Sequence, residues 1–249
     1  MHDSDREAFE HFRRASDGAV QEAMDELALC YELGRGVEPN FGEAHKMYRL
    51  ASGQGSLNAL HGLARCFDEG IGVEQDKGEA KKFYFEISRK ALEQSEGVDW
   101  REFGELDWGL DERKGRLVVK GRGPLEDYLE GRKTCQMKDY CQTSKKPPWR
   151  KEYQNQIYSV VVCHGVSSIR LGAFCDCLNM KTVILPTSVT SIGKKAFSYC
   201  SELTLLKIPD SVKEIGDRAF CNCFELISIT IPGSVESLGK NPFLECDKL

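Results

Sequence analysis

A period of 23 residues governs the last third of this chain and narrows its possible folds more than any other feature. Cys177, Cys200, Cys223 and Cys246 keep that step, and so do Phe174, Phe197, Phe220 and Phe243. Val166, Val189, Val212 and Val235 follow it, as do Ile169, Ile192, Ile215 and Leu238, and Met180, Leu203, Leu226 and Leu249. Pro186, Pro209 and Pro232 punctuate successive units. Self-similarity at a fixed step of this size means like units stacked so that each buries the apolar face of the next. The last unit departs from the pattern at Pro242, where the others carry Ala, and it stops at Leu249 before its own strand. An atypical unit is expected at the end of a stack.

A second step, of 36 residues, runs through the first third. Ala23, Leu27, Cys30 and Tyr31 return as Ala59, Leu63, Cys66 and Phe67. Gly34, Gly36 and Val37 return as Gly70, Gly72 and Val73, and Glu43, Ala44 and Tyr48 as Glu79, Ala80 and Tyr84. One step upstream, Glu7, Ala8, Phe12, Arg13 and Ala15 match Glu43, Ala44, Tyr48, Arg49 and Ala51. Each unit reads as two helices. The first runs over Gln21–Glu32, with Ala23, Leu27, Ala28 and Tyr31 at helical spacing. It ends at Gly34-Arg35-Gly36, where glycine takes the left-handed cap. The second starts near Asn40. Ser4, Asn40 and Asp76 are equivalent N-cap residues, and Glu7, Glu43 and Glu79 follow three residues later, so three capping boxes are expected.

The pattern A-x3-L-A-x2-Y-x2-G-x-G-V, followed by an Ala–aromatic helix, resembles the SEL-like repeats, relatives of tetratricopeptide repeats, over about residues 4–92. The resemblance implies a right-handed α-solenoid that binds proteins. The 23-residue unit, close to P-x-S-V-x-x-I-G-x-x-A-F-x-x-C-x-x-L, resembles the leucine-rich repeats of the BspA-like class from Tyr158 to Leu249. That class is found on many bacterial and protist surface proteins. Between the two lies a segment without a repeat. Its apolar run Leu117–Val119 and flanking glycines predict strands and turns, and it resembles the N-terminal cap of BspA-like solenoids. Lys133–Lys146 reads as a polar loop, and the basic stretch Lys145–Lys151 as an extended solvated loop beside a buried Trp149. The expected fold is therefore α+β: helical repeats over residues 1–95, a linker and β-rich cap over 96–157, and a β-solenoid over 158–249.

A leucine-rich repeat contributes one short parallel strand per coil, and coils stack at about 4.8 Å. With Leu206 and Ile208 toward the core, alternation turns Leu205 and Lys207 outward. The same step puts Thr182 and Ile184, and Ser228 and Thr230, on that face, with Ser159 and Val161 starting the row. Ile184 and Leu205 are expected as exposed apolar neighbours, and these six residues, Thr182 to Thr230, form the candidate partner-binding face.

The cysteine column reads as buried thiols packed as small apolar side chains. Parallel in-register Cβ atoms point the same way, which disfavours disulfides between coils. Cys175 and Cys221 form C-x-C pairs with Cys177 and Cys223, but without histidines these make a poor zinc site. No metal or cofactor is expected. Cys163-His164 is not a nucleophile–base pair, because adjacent strand residues face opposite ways. Phosphate-loop, zincin, nucleophile-elbow and dinucleotide motifs do not occur in the sequence. No catalysis is expected.

The net charge is −5, and the acidic excess lies in residues 1–95, with 12 basic against 18 acidic side chains. That balance gives no surplus for phosphate neutralisation, so nucleic acid is not an expected partner. No apolar run approaches a membrane span. Met1-His2-Asp3-Ser4-Asp5-Arg6 lacks the basic and then apolar order of a signal peptide, so a cytoplasmic location is expected if Met1 is the natural start. The expected function is a non-enzymatic scaffold or adaptor for protein partners. The alternative is a secreted or cell-surface adhesion protein of the BspA-like class, should the true start lie upstream. The strand at Leu226–Ile231 is covered only by an incomplete coil, so weak self-association through that edge is also expected.

Overall fold

The structure is a computed structural model that describes residues 3–18, 20–103, 105–121, 135–136, 149 and 153–249. It divides into two compact units, Met1–Lys90 and Ala91–Leu249.

The first unit is helical: α1 (Asp3–Asp17), α2 (Gln21–Leu33), α3 (Phe41–Gly53), α4 (Leu57–Glu69) and α5 (Lys77–Glu93), the last crossing the division. The residues that recur at the 36-residue step are those that pack. Ala28, Ala44, Ala51 and Ala59 are fully buried, with Met24, Tyr48, Leu63 and Cys66 around them. Gly34 and Gly70 close α2 and α4 with φ of 71° and 73°, their amides donating to Cys30 and Cys66 carbonyls. Gly36 and Gly72 have φ of 71° and 69°, and a Cβ there would strike the backbones of Asp5 and Phe41. The spacing G-x-G thus records one cap and one close approach.

The capping boxes form only in half. Asn40 Oδ1 accepts from the Glu43 amide at 3.1 Å, and Asp76 Oδ1 from the Glu79 amide at 2.9 Å. The Asn40 and Asp76 amides donate instead to the carbonyls of Tyr31 and Phe67, so the glutamates have no cap amide to reach for. Glu43 and Glu79 pair with Lys46 and Lys82. Ser4 lies inside α1 and not at its cap.

Two buried polar joints tie specific helices together. Arg65 on α4 grips Glu32 on α2 with two bonds of 2.8 and 2.6 Å, and Tyr48 on α3 donates to the same carboxylate at 2.6 Å. Burial opposes the Arg65 charge, but the Tyr48 oxygen and the Glu32 carboxylate outweigh it and leave the pKa raised. Ser56 donates to Asp25 at 2.7–2.8 Å while accepting from the Ala59 amide, so one hydroxyl caps α4 and satisfies a buried carboxylate.

The second unit is β-rich. Strands β1 (Arg101–Phe103), β2 (Leu106–Asp111) and β3 (Arg116–Gly121) form an antiparallel meander, and β3 then pairs in parallel with β5 (Ser159–Val162). The sheet continues through β7 (Thr182–Ile184), β9 (Leu205–Lys207) and β11 (Ser228–Thr230) in the order β1-β2-β3-β5-β7-β9-β11. A second sheet stacks β4 (Cys135–Gln136), β6 (Val166–Ile169), β8 (Ser191–Ile192), β10 (Glu214–Ile215) and β12 (Ser237–Leu238).

The 23-residue columns lie between these sheets. Phe174, Phe197, Phe220 and Phe243 stack face to face at 5.3–5.5 Å, and Trp149 closes the head of the column against Phe174 at 5.9 Å. Trp149 is fully buried and its Nε1 donates to the Ala173 carbonyl. The rest of the basic stretch around it, and the Lys133–Lys146 segment apart from β4, fall outside the described residues. The thiols do more than fill space. Cys200, Cys223 and Cys246 each donate to the carbonyl of the preceding coil's phenylalanine, at 3.2–3.3 Å. All four cysteines of the column carry free thiols.

Each coil also turns through two residues with positive φ, such as Lys195 and Tyr199 or Arg218 and Asn222. Their amides donate to the next coil, and this repeated bond holds a conformation that non-glycine residues otherwise avoid.

Candidate interaction surface

The outer face of the long sheet is built from two rows in register. Arg116 pairs with Ser159, Ser159 with Thr182, Thr182 with Leu205 and Leu205 with Ser228. Two residues along, Val118 pairs with Val161 and Val161 with Ile184, while Lys207 pairs with Thr230. Val160, Val183 and Leu206 point the other way into the core, so the expected alternation holds.

Exposure does not follow orientation. Ile184 is only 2% exposed and Lys207 7%, so neither is the open contact residue expected from the strand pattern. Val161 is buried as well. The segment ahead of the sheet packs on its β2–β3 end. Gln94 accepts from Arg116 at 2.7 Å, the Lys120 ammonium sits 5.1 Å from the Trp100 ring, and Val98 and Trp100 lie so close over Gly109 that a side chain there would collide. No periodic signal marks that segment.

The other row stays accessible. Ser159, Thr182, Leu205 and Ser228 are half-buried, and Thr230 at the end of the second row is exposed. Beside them, one residue earlier in each coil, run Tyr158, Lys181, Thr204 and Ile227, joined coil to coil by amide–carbonyl bonds of 2.9–3.3 Å. Tyr158 is 49% exposed. Sequence reasoning placed Ser159 on this face and passed over Tyr158 and Lys181, although they keep the same 23-residue step. The strip has hydroxyls, a lysine, an aromatic ring and two aliphatic side chains. It is equipped to contact an extended polypeptide by hydrogen bonding and ring packing.

Among the described residues no three His, Cys, Asp or Glu side chains stand where they could hold a metal ion. Cys163 is fully buried, and the neighbouring His164 lies beyond the end of β5. Among the described residues no helix is long and apolar enough to cross a membrane.

The repeat geometry now has a family to answer to. The Sel1 repeat matches residues 3–19, 21–56 and 57–90, and the BspA type leucine-rich repeat region matches residues 153–249. The chain joins Sel1 repeats to BspA-type leucine-rich repeats. The first Sel1 match is half the length of the others and coincides with α1.

Among solved structures, a leucine-rich repeat protein from Bacteroides ovatus is 33% identical over 38% of this chain and 24% of its own, with a TM-score of 0.37. A Sel1 repeat protein from Oxalobacter formigenes is 30% identical over 34% of this chain and 25% of its own, with a TM-score of 0.34. A leucine-rich repeat protein from Eubacterium ventriosum is 24% identical over 60% and 42%, with a TM-score of 0.44. The chain spans about a quarter of the first two proteins it resembles. No curated protein matches it.

Proposed function

We propose that this protein is a non-enzymatic scaffold that holds an extended segment of a protein partner along the outer strip of its leucine-rich-repeat sheet. The contact residues are Tyr158, Lys181, Thr182, Leu205, Ser228 and Thr230. The register carries this reading: Ser159, Thr182, Leu205 and Ser228 form one accessible row that repeats once per coil, while Val161, Ile184 and Lys207 in the adjacent row are buried. A buried second row stiffens the face, and a stiff face loses less entropy on binding. The Sel1 array gives the same chain a second repeat surface, so two partners could be held at once. The partner is a protein and not a nucleic acid, since the strip has one lysine and no basic surplus. The location we assign is the cytoplasm, where the free thiols of the cysteine column are stable.

Affinity capture from a native lysate tests this, comparing the wild type with Thr182→Arg/Leu205→Arg. Both positions are half-buried, so the pair leaves the core intact. A protein retained by the wild type and lost at least tenfold by the folded variant supports the strip. Equal retention by both moves the site to the Sel1 array.

One observation favours a second reading, adhesion at a cell surface: the match of residues 153–249 to the BspA type. Fractionation of the native organism decides between them, since surface exposure would give protease cleavage on intact cells.

A further inference from the structure

Charge is spread unevenly over the solenoid. Residues 158–249 carry nine basic and nine acidic side chains. Five of the nine cations, Arg170, Lys194, Lys195, Arg218 and Lys240, fall in one corner of the coil, the turn that follows β6, β8, β10 and β12. Asp217 is the one acidic side chain of that turn.

Backbone bonds fix these residues in a comb. The amides of Gly172, Lys195 and Arg218 donate to the carbonyls of Lys194, Asp217 and Lys240 in the next coil, each at 3.0 Å. Gly193, Gly216 and Gly239 lie so close to the coil before that a Cβ would strike its backbone. Cations of successive coils therefore project from anchors about 4.8 Å apart. Lys194, Arg218 and Lys240 are exposed, and Arg170 and Lys195 are half-buried. Asp217 is engaged within the corner: it accepts from the Lys240 amide at 2.8 Å and lies 3.7 Å from the Lys194 ammonium. Outside the turn, Glu214 on β10 is the next acidic residue along the chain, and Glu236 is paired with Lys213. Lys195, Arg218 and Lys240 have no ion-pair partner among the described residues.

The fold does not ask for these charges. Leu171 stands where the next coil has Lys194, and Gly172 and Asn241 stand where the middle coils have Lys195 and Arg218. That last position is left-handed in every coil, with φ of 63°, 54°, 52° and 50° from Gly172 to Asn241. Glycine and asparagine adopt it readily, and lysine and arginine do not. Two like charges side by side on adjoining coils add repulsion. The chain thus holds cations where both backbone and charge disfavour them, which points to a demand from outside the fold.

We propose that this corner binds an acidic segment of a protein partner, at a site separate from the strip on the long sheet. An extended segment of about five residues spans the four coils, and its carboxylates can meet a guanidinium or an ammonium at each step. A long polyanion fits less well. The chain carries −5 overall, and eight of the solenoid's nine acidic side chains lie outside the corner, so a nucleic acid running past it meets repulsion. A short segment feels only the charges within a Debye length, about 8 Å at physiological salt.

Titration calorimetry of the full chain with a capped Glu-Ser repeat peptide of about ten residues, long enough to overreach the corner, tests this. The expected result is binding that the matching Gln-Ser peptide does not show. It should weaken at least tenfold as ionic strength rises from about 0.01 to about 0.15 M. Lys195→Asn/Arg218→Asn should reduce affinity at least tenfold while the melting temperature stays level or rises, because asparagine suits the left-handed position. If that pair alters folding, Lys194→Gln/Lys240→Gln, at exposed positions, reads the same corner. Lys213→Asn/Lys248→Asn removes as much charge elsewhere on the solenoid and should change affinity less than twofold. A chain that does not bind the Glu-Ser peptide at low salt overturns the inference. So does an equal loss of affinity in the corner and control variants, or tighter binding of an oligothymidylate of the same charge, which would make the ligand a nucleic acid.

Discussion

The Sel1 array and the leucine-rich-repeat solenoid both stack units, but they join them differently. Joints between solenoid coils are interchangeable: one phenylalanine on the next, one thiol to one carbonyl, one set of amides to one set of carbonyls, repeated at each step. Joints in the array are individual. Arg65 clasps Glu32 and Tyr48, but 36 residues earlier the position of Arg65 is held by Leu29. Asp25 meets Ser56, but the equivalent of Asp25 in the next unit is His61. The apolar skeleton makes the two repeats alike, and the polar joints say which helix belongs beside which. A stack with interchangeable joints adds each coil by the same contacts as the last, whereas each helix pair of the array needs its own partner.

The sharpest way to break this contrast is at the centre of the phenylalanine column. Phe197 is fully buried between two rings, and Phe197→Ala leaves a cavity that the coils above and below cannot fill without losing their backbone bonds. A loss of about 3–5 kcal/mol is expected, read as a shift of the solenoid's urea transition with the helical signal of the array unmoved. If Phe197→Ala costs less than ~1 kcal/mol, against that cavity scale, the ladder is not what holds the coils.

The array answers to a different pair of changes. Arg65→Ala strands the Glu32 carboxylate, which is only 6% exposed, and should cost about 3–5 kcal/mol. The triple change Glu32→Leu/Tyr48→Phe/Arg65→Met removes the whole joint and should return stability to within ~1 kcal/mol of the wild type or above it. That outcome would show the joint serving helix order more than stability. A triple variant as unstable as Arg65→Ala would show the opposite and erase the distinction drawn between the two regions.

The periodic parts of the molecule were legible in its sequence for a physical reason. A fixed step repeats a fixed orientation, so the columns at Phe197, Cys200, Val212 and Ile215 could be assigned to the core without coordinates. Gly34 and Gly70 were legible as caps because the conformation they adopt is costly for other residues. What escaped notice is not encoded in a step. Ile184 points outward as alternation requires, yet it is buried, and alternation fixes only which face a side chain leaves from, not what lies over it. The return half of each capping box failed because the Asn40 and Asp76 amides are claimed by Tyr31 and Phe67, contacts set by the turn between helices. The Glu32–Tyr48–Arg65 joint left no trace either, since it occurs once and a search for repetition passes over it.

Raising the pH probes the thiols of both regions. Burial pushes Cys30 and Cys66 in the array from 9.0 up to about 11, and it raises Cys200 in the solenoid well above 9.0. The folded state therefore keeps protons that the unfolded chain releases above pH 9. Stability is full below that pH and falls as pH rises toward 11, by up to ~2–3 kcal/mol for each array thiol. Urea midpoints at about pH 7.5 and pH 10.5, either side of the unfolded thiol's range, measure the fall. Cys30→Ala/Cys66→Ala should reduce it for the array alone. An array midpoint equally pH-sensitive without these thiols would assign the effect to other groups.

The smallest effect expected belongs to a single helix end. Asn40 caps α3 through one bond to the Glu43 amide, and no other helix depends on it. Asn40→Ala should lower the array's thermal transition by an amount equivalent to about 1 kcal/mol. Asn40→Asp copies the cap already present at Asp76 and adds a negative charge at the positive end of the helix, so a gain of a few tenths of a kcal/mol is expected. Neither change should move the solenoid's transition. If both regions shift together, array and solenoid unfold as one cooperative body, and their joints, however different in chemistry, are read by a single equilibrium.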